Sequence, residues 1–277
     1  MLSFATLGGC AGAAPAPTTA LPAETAGLLA VTVSTAEGSV ALTGVLMLPE
    51  ATRPSPAVIL MHGCSGVSPT MRQWATVLRG WGYASFVLDS FKGRGLTSVC
   101  ESGALRSEGR VDDAHAALRL LARHPRIDPE RVALMGFSHG GGVVVLAASR
   151  WVARRYSQAG APAFRAFVAF YPRCAGRYPG TLAAPLRIHI GALDDWTPAP
   201  PCEEMVDALR HRGADARITV YPDARHAFDA AALPAERWLA NVQGPHGRRG
   251  ATIGHNAEAT RRARANVRQE LVELLGG

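Results

Sequence analysis

The stretch VALMGFSHGGGVVVLAA occupies Val132–Ala148. Val132–Met135 lead directly into Gly136-Phe137-Ser138-His139-Gly140, and a second apolar run follows. A short apolar run closed by glycine reads as a buried strand, and the run after it suits a helix. A serine between glycines at such a junction has two readings. It is a polar residue in a glycine-rich turn, or a nucleophile held on a sharp strand-to-helix turn. The residues at the ends of the other strands decide between them.

Outward from this stretch, short apolar runs alternate with helical patterns. Leu29–Ser34 and Ala41–Leu48 read as paired strands with Glu37-Gly38 near the turn. Then come strands at Ala57–Met61, Ala84–Leu88, Val132–Met135, Ala166–Phe170, Leu186–Ile190 and Ala216–Val220. Helices are expected at Pro69–Trp81, Val111–Arg123, Gly141–Trp151, Pro201–Arg212 and about Asn256 to Leu275. Continuous apolar strands separated by helices imply an α/β fold, with an eight-stranded, mostly parallel sheet flanked by helices. About fifteen residues separate Tyr171 from Leu186, which leaves no room for a large cap domain. The long segments Phe91–Gly109 and Ala230–His255 are the ones that could fold over a site. The expected organisation is a leader and disordered tether over 1–27, then one domain over 28–277.

Ligands on such sheets bind at the carboxyl ends of strands. Four polar segments stand there: HGCSG (62–66), GFSHGG (136–141), GALDDWTP (191–198) and YPDARHAFD (221–229). Serine, acid and histidine follow separate strands in the order Ser138, Asp194, His226, which is the chain order of α/β-hydrolases. A serine hydroxyl needs a base to take its proton, which gives His226 its role. An aspartate would hold the imidazole in the right tautomer. Asp194 is preferred to its neighbour Asp195, which reads as a turn or capping residue; Asp223 and Asp229 are weaker alternatives. Two oxyanion donors are required. The backbone N–H of His139 is one, and the N–H of Cys64 is the expected second. His62 reads as a structural hydrogen bonder. Phe91, Tyr171 and Trp196 each sit at a strand end and are the candidate pocket residues.

Together, HGCSG, DSFKGRG (89–95), GFSHGG, GALDDWTPAPPC (191–202) and YPDARHAFD resemble the dienelactone hydrolase family of α/β-hydrolases, over about residues 30–275. The resemblance implies a triad of Ser138, Asp194 and His226. Dienelactone hydrolases proper use a cysteine nucleophile and a nearby glutamate directly after the histidine that corresponds to His62; here the nucleophile is serine, and Gly63 stands where that glutamate would be. The resemblance is therefore to a serine branch that hydrolyses varied carboxylic esters through an acyl-enzyme. Two other readings stay open: a small peptidase of the prolyl-oligopeptidase branch, and a non-catalytic envelope binding protein.

The chain has 277 residues with 29 basic against 22 acidic side chains, yet Lys92 is its one lysine and the arginines are scattered. No basic stripe with interleaved aromatics appears, which argues against nucleic-acid binding. No apolar run reaches the roughly 18 residues that span a bilayer. Leu7-Gly8-Gly9-Cys10 resembles a bacterial lipobox, although no basic segment precedes it. Cys10 is thus a lipidation candidate and a possible membrane tether. Four of the five cysteines then remain, Cys64, Cys100, Cys174 and Cys202. An even number suits two disulfides and an exported protein; four buried thiols in the cytoplasm is the alternative. Cys64 and Cys100 follow strands on one side of the sheet, as do Cys174 and Cys202, so those pairings are expected. Their spacing does not suit zinc, and the chemistry asks for no metal or cofactor.

Overall fold

The computed structural model describes residues 26–35, 38–174, 176 and 180–276. The lipobox-like stretch Leu7–Cys10, with its lipidation candidate Cys10, lies outside the described residues. Strands β1 (Gly27–Thr35) and β2 (Gly38–Met47) pair antiparallel, as the alternation predicts. Six parallel strands follow: β3 (Ser55–Met61), β4 (Ala84–Asp89), β5 (Ile127–Phe137), β6 (Ala166–Phe170), β7 (Leu186–Gly191) and β8 (Ala216–Tyr221). They form one eight-stranded sheet in the order β1-β2-β4-β3-β5-β6-β7-β8. Every residue of β3, β6 and β7 is buried. Burial on both faces explains why these strands are continuously apolar rather than alternating.

The order of strands fixes where a ligand can sit. From β3 the chain passes through helix α1 (Pro69–Gly80) to β4 on one side. It then returns through α2 (Val111–Leu121) to β5 on the other side of β3. The direction of winding reverses between β3 and β5, and the crevice that such a reversal opens lies at their carboxyl ends. HGCSG follows β3 and GFSHGG spans the end of β5 and the start of the next helix, so both segments lie at that crevice.

Three elements differ from the sequence pattern. β5 starts at Ile127 rather than Val132: Ile127 is buried, but the polar, partly exposed stretch Asp128–Arg131 interrupts the apolar run between it and Val132. The helix expected over Gly141–Trp151 is two helices, α3 (His139–Ala147) and α4 (Arg150–Ala153). The break comes where the Arg150 N–H leaves the helical ladder and donates to the Thr181 carbonyl at 2.8 Å. The segment 230–255 carries a hairpin, β9 (Arg237–Gln243) with β10 (Arg249–Ile253). Most of β9 is exposed, so no buried face marked it as a strand. The hairpin is followed by α6 (Ala257–Leu275), where the Asn256 side chain caps the helix by accepting from the Ala259 N–H at 2.9 Å. Helix α5 (Pro200–His211) precedes β8.

One buried side chain makes the fold sensitive to acid. His115 of α2 stacks face to face on Tyr156 with ring centroids 3.6 Å apart, and its Nε2 has no hydrogen-bond partner among the described residues. Burial, helped by Arg119, pulls its pKa from 6.5 to about 3. The folded protein thus holds His115 neutral while the unfolded chain protonates it. The stability it contributes is full above about pH 6.5 and is lost as pH falls toward 3. His115→Phe keeps the stack and removes the titration. Urea unfolding across this range should show a pH slope shallower by about one proton than in the parent protein. An unchanged slope would refute the assignment.

Candidate active site

The chain turns from β5 into α3 within a single residue, Ser138, at φ 54° and ψ −113°. A non-glycine residue with positive φ is strained, by about 1–3 kcal/mol, and persists only where its surroundings enforce it. Here they do. The Ser138 N–H donates to the Phe170 carbonyl at 2.9 Å, and its own carbonyl accepts from Gly142 N–H at 2.9 Å. The flanking glycines are required by contact. A Cβ on Gly136 would lie 2.2 Å from the Gly140 oxygen, and one on Gly140 would lie 2.1 Å from the Met61 oxygen. The elbow is therefore pressed against the loop that follows β3. A Cβ on Gly63 would stand 3.6 Å from the Ser138 Cβ, so that loop runs beside the serine.

Three strand ends converge on this point. Ser138 Oγ lies 2.8 Å from His226 Nε2, and His226 Nδ1 lies 2.8 Å from Asp194 Oδ2. Both His226 and Asp194 are buried. The other Asp194 oxygen accepts from the backbone N–H groups of Trp196 at 3.0 Å and Thr197 at 2.8 Å. Those bonds aim the carboxylate at the imidazole. The neighbouring Asp195 faces away. It accepts from the Thr252 N–H at 2.7 Å and the Thr252 hydroxyl at 2.8 Å, and so anchors β10. Asp223 contributes its carbonyl to Asn256. Asp229 is wholly buried and accepts from Trp74 Nε1 at 2.7 Å and the Tyr171 hydroxyl at 2.6 Å. Burial raises the Asp229 pKa and also raises that of Tyr171 well above 10.

Thr197 is a member of this cluster that the sequence reading passed over. Its hydroxyl lies 3.0 Å from the Tyr171 carbonyl, 3.0 Å from Asp194 Oδ2 and 3.0 Å from His226 Nδ1. It ties the strand end after β6 to the acid and the base. Its signal was the spacing in Asp194-Asp195-Trp196-Thr197, where an aspartate accepts from the backbone two and three residues on.

The serine opens into a cavity of about 530 Å³. Cys64, His139 and Trp196 line it, and so do residues of both long segments: Val99–Glu108 in part, and Gln243. These two segments meet, because Gln243 N–H donates to the Cys100 carbonyl at 3.2 Å and its side chain to the Glu101 carbonyl at 2.9 Å. Trp196 packs tilted against His226 with centroids 4.7 Å apart and donates through Nε1 to the Gln243 carbonyl at 2.9 Å. Tyr171 also packs tilted against His226 at 4.7 Å but is buried. Phe91 is buried edge-on against His62, 4.4 Å away, and is not among the cavity's lining residues. His62 accepts from the Ser90 N–H through Nε2 at 3.1 Å, and burial holds its pKa well below 6.5. Disulfides join Cys64 to Cys100 and Cys174 to Cys202. The first fastens the loop after β3 to the long segment that walls the cavity.

Residues 42–274 match the model of the dienelactone hydrolase family. A Yersinia pestis protein named "Putative carboxymethylenebutenolidase" is 29% identical over 205 residues, covering 66% of this chain and 72% of that protein. A dienelactone hydrolase-like promiscuous phosphotriesterase from metagenomic libraries superposes with a TM-score of 0.63 at 21% identity, over 90% of this chain and 100% of that one. The propionate-bound esterase of Thermogutta terrifontis gives 0.63 at 16% identity, over 89% and 94%. At these identities the two structures speak to the fold.

The division of labour between the adjacent aspartates is open to measurement. Asp194→Asn should lower kcat by about 10³–10⁴-fold. Asp195→Asn should leave kcat within about threefold of the parent while hydrogen exchange in 237–253 becomes faster. The reverse pattern would move the acid to Asp195.

Proposed function

The chain belongs to the dienelactone hydrolase family, and we propose that it is a serine hydrolase that cleaves carboxylic esters of small molecules. The observation that carries the reading is the relay of 2.8 Å contacts from Ser138 Oγ through His226 to Asp194. Such a relay turns a weak nucleophile into a strong one at neutral pH.

In this mechanism Ser138 Oγ attacks the ester carbonyl carbon as His226 Nε2 takes the hydroxyl proton. The carbonyl oxygen becomes an oxyanion held by the N–H groups of His139 and Cys64. The start of α3 adds its positive dipole end. When the intermediate collapses, the C–O bond to the alcohol breaks and His226 returns its proton to the departing oxygen. The acyl group now sits on Ser138. A water, deprotonated by His226, attacks the acyl carbon; the same oxyanion donors serve again, and Ser138 leaves with the proton. Asp194 holds the imidazole in place through Nδ1 and stabilises the imidazolium.

Position 63 shapes this chemistry. A glutamate there would place a carboxylate beside the nucleophile, given the 3.6 Å between a Cβ on Gly63 and the Ser138 Cβ. With glycine, the base in reach of Ser138 among the described residues is His226. This supports ester hydrolysis by serine rather than the chemistry of the cysteine-dependent members. The cavity is bordered by Arg106, Glu108 and Arg173 as well as by Trp196 and Leu105, which suits an ester with both polar and apolar parts.

The two disulfides support an exported protein, since such bonds persist in oxidising compartments. Peptide mapping without reduction, on protein recovered from a cell envelope, should find Cys64 joined to Cys100 and Cys174 to Cys202. Four free thiols would reject export.

A fluorophosphonate probe should add to Ser138, and short p-nitrophenyl esters should turn over. Ser138→Ala should abolish the adduct and lower kcat by about 10⁵–10⁶-fold. An adduct elsewhere, together with no turnover of any ester across a panel of acyl lengths, would overturn the assignment.

A further inference from the structure

Arg110 has no exposed surface, and it lies just behind the site. It closes the short turn Glu108–Arg110 that leads into α2. One of its nitrogens, Nη1, donates to the His62 carbonyl at 3.0 Å and to His139 Nδ1 at 2.8 Å. A guanidinium only donates, so Nδ1 must accept and the His139 proton sits on Nε2. There it donates to the Leu105 carbonyl at 2.9 Å. The Phe91 ring lies under the guanidinium, 5.0 Å from its carbon. The nearby buried acid, Asp113, gives both oxygens to Arg94, at 2.9 and 2.8 Å. Arg110 Nε and Nη2 have no hydrogen-bond partner among the described residues. Burial pulls its pKa down to about 9, which leaves it a cation at neutral pH.

A buried cation without its own carboxylate is costly for stability. Its placement suggests what offsets the cost. His62 opens the loop that carries the Cys64 N–H, and His139 carries the other oxyanion donor on its own backbone. A single nitrogen therefore ties together the two segments that must cradle the oxyanion. A cation in a dry interior is also weakly screened, so it acts most strongly when negative charge develops nearby.

We propose that Arg110 is a positioning residue for acyl transfer: it fixes the spacing between the two oxyanion-donor segments and sets a permanent positive charge behind them. The proposal rests on the ester-hydrolase reading above. It predicts an effect on the transition state rather than on substrate binding. Arg110→Met removes charge and clamp. Arg110→Lys keeps a charge but offers a compact ammonium in place of the planar fork. His139→Leu leaves Arg110 in place and removes its acceptor on the elbow, which covers the case in which Arg110 variants fail to fold.

The measurements are kcat and KM for p-nitrophenyl butyrate, the affinity for phenylboronic acid, which forms a tetrahedral adduct on an active serine, and thermal unfolding as a separate report of folding. In folded Arg110→Met, kcat should fall by about tenfold or more with KM within about threefold. Boronate affinity should fall in parallel, with smaller losses in the same direction for Arg110→Lys and His139→Leu. A purely structural Arg110 would lower the melting temperature and leave kcat and boronate affinity of the folded protein unchanged, and that result in the Arg110 variants, or in His139→Leu alone if those do not fold, overturns the proposal. A wild-type protein inert toward both ester and boronate instead overturns the ester-hydrolase reading on which it rests.

Discussion

The geometry of the whole site hangs on a contact between two backbones. The Gly140 Cα sits so close to the carbonyls of Met61 and His62 that no side chain fits between them. This lets the helix after β5 start hard against the loop after β3. Without it, the two candidate oxyanion donors could not face one point, and Ser138 could not stand proud of the sheet. The strain in Ser138 is the local cost of the same turn. Two adjacent parallel strands with no freedom to separate hold it: β3 and β5 pair along their length, and both are buried where they meet.

Around that contact the other components are hung by polar bonds rather than by apolar packing. Asp194 is aimed by backbone N–H groups of its own turn, and Thr197 fastens that turn to the strand end after β6. The next residue, Asp195, reaches out to Thr252 and fixes the β9–β10 hairpin. Trp196 completes the run by bonding to the Gln243 carbonyl at the end of β9. Four consecutive residues thus carry the candidate acid, the hairpin anchor, a cavity wall and a support. A loop of this kind tolerates little substitution, because each side chain answers to a different neighbour.

The disulfide Cys64–Cys100 plays the same part on the opposite rim. It fastens the loop beside the serine to the long segment that the Gln243 hydrogen bonds join to the hairpin. The cavity is therefore walled in part by two long segments that are tied to each other. Covalent and hydrogen-bonded ties hold them there.

The strands of the sheet were legible in the sequence because burial on both faces writes itself as unbroken apolar runs, and the chain order of Ser138, Asp194 and His226 was legible because strand ends are where such a sheet gathers its polar residues. The hairpin was not, since β9 is mostly exposed and its hold on the body is by bonds from Asp195 and Trp196 that leave no periodic mark. Nor was Arg110, whose partners lie 29 and 48 residues away in the chain; Thr197 carried a local signal in its spacing from Asp194, but its bonds to Tyr171 and His226 span 26 and 29 residues. Sequence alone determined the fold class and the residues of the candidate triad, because each follows from local composition and order. Only the tertiary structure decided which of two adjacent aspartates faces His226, which segments wall the cavity and what stands behind the oxyanion donors. Those are matters of direction and distance between segments that meet only when the sheet is assembled.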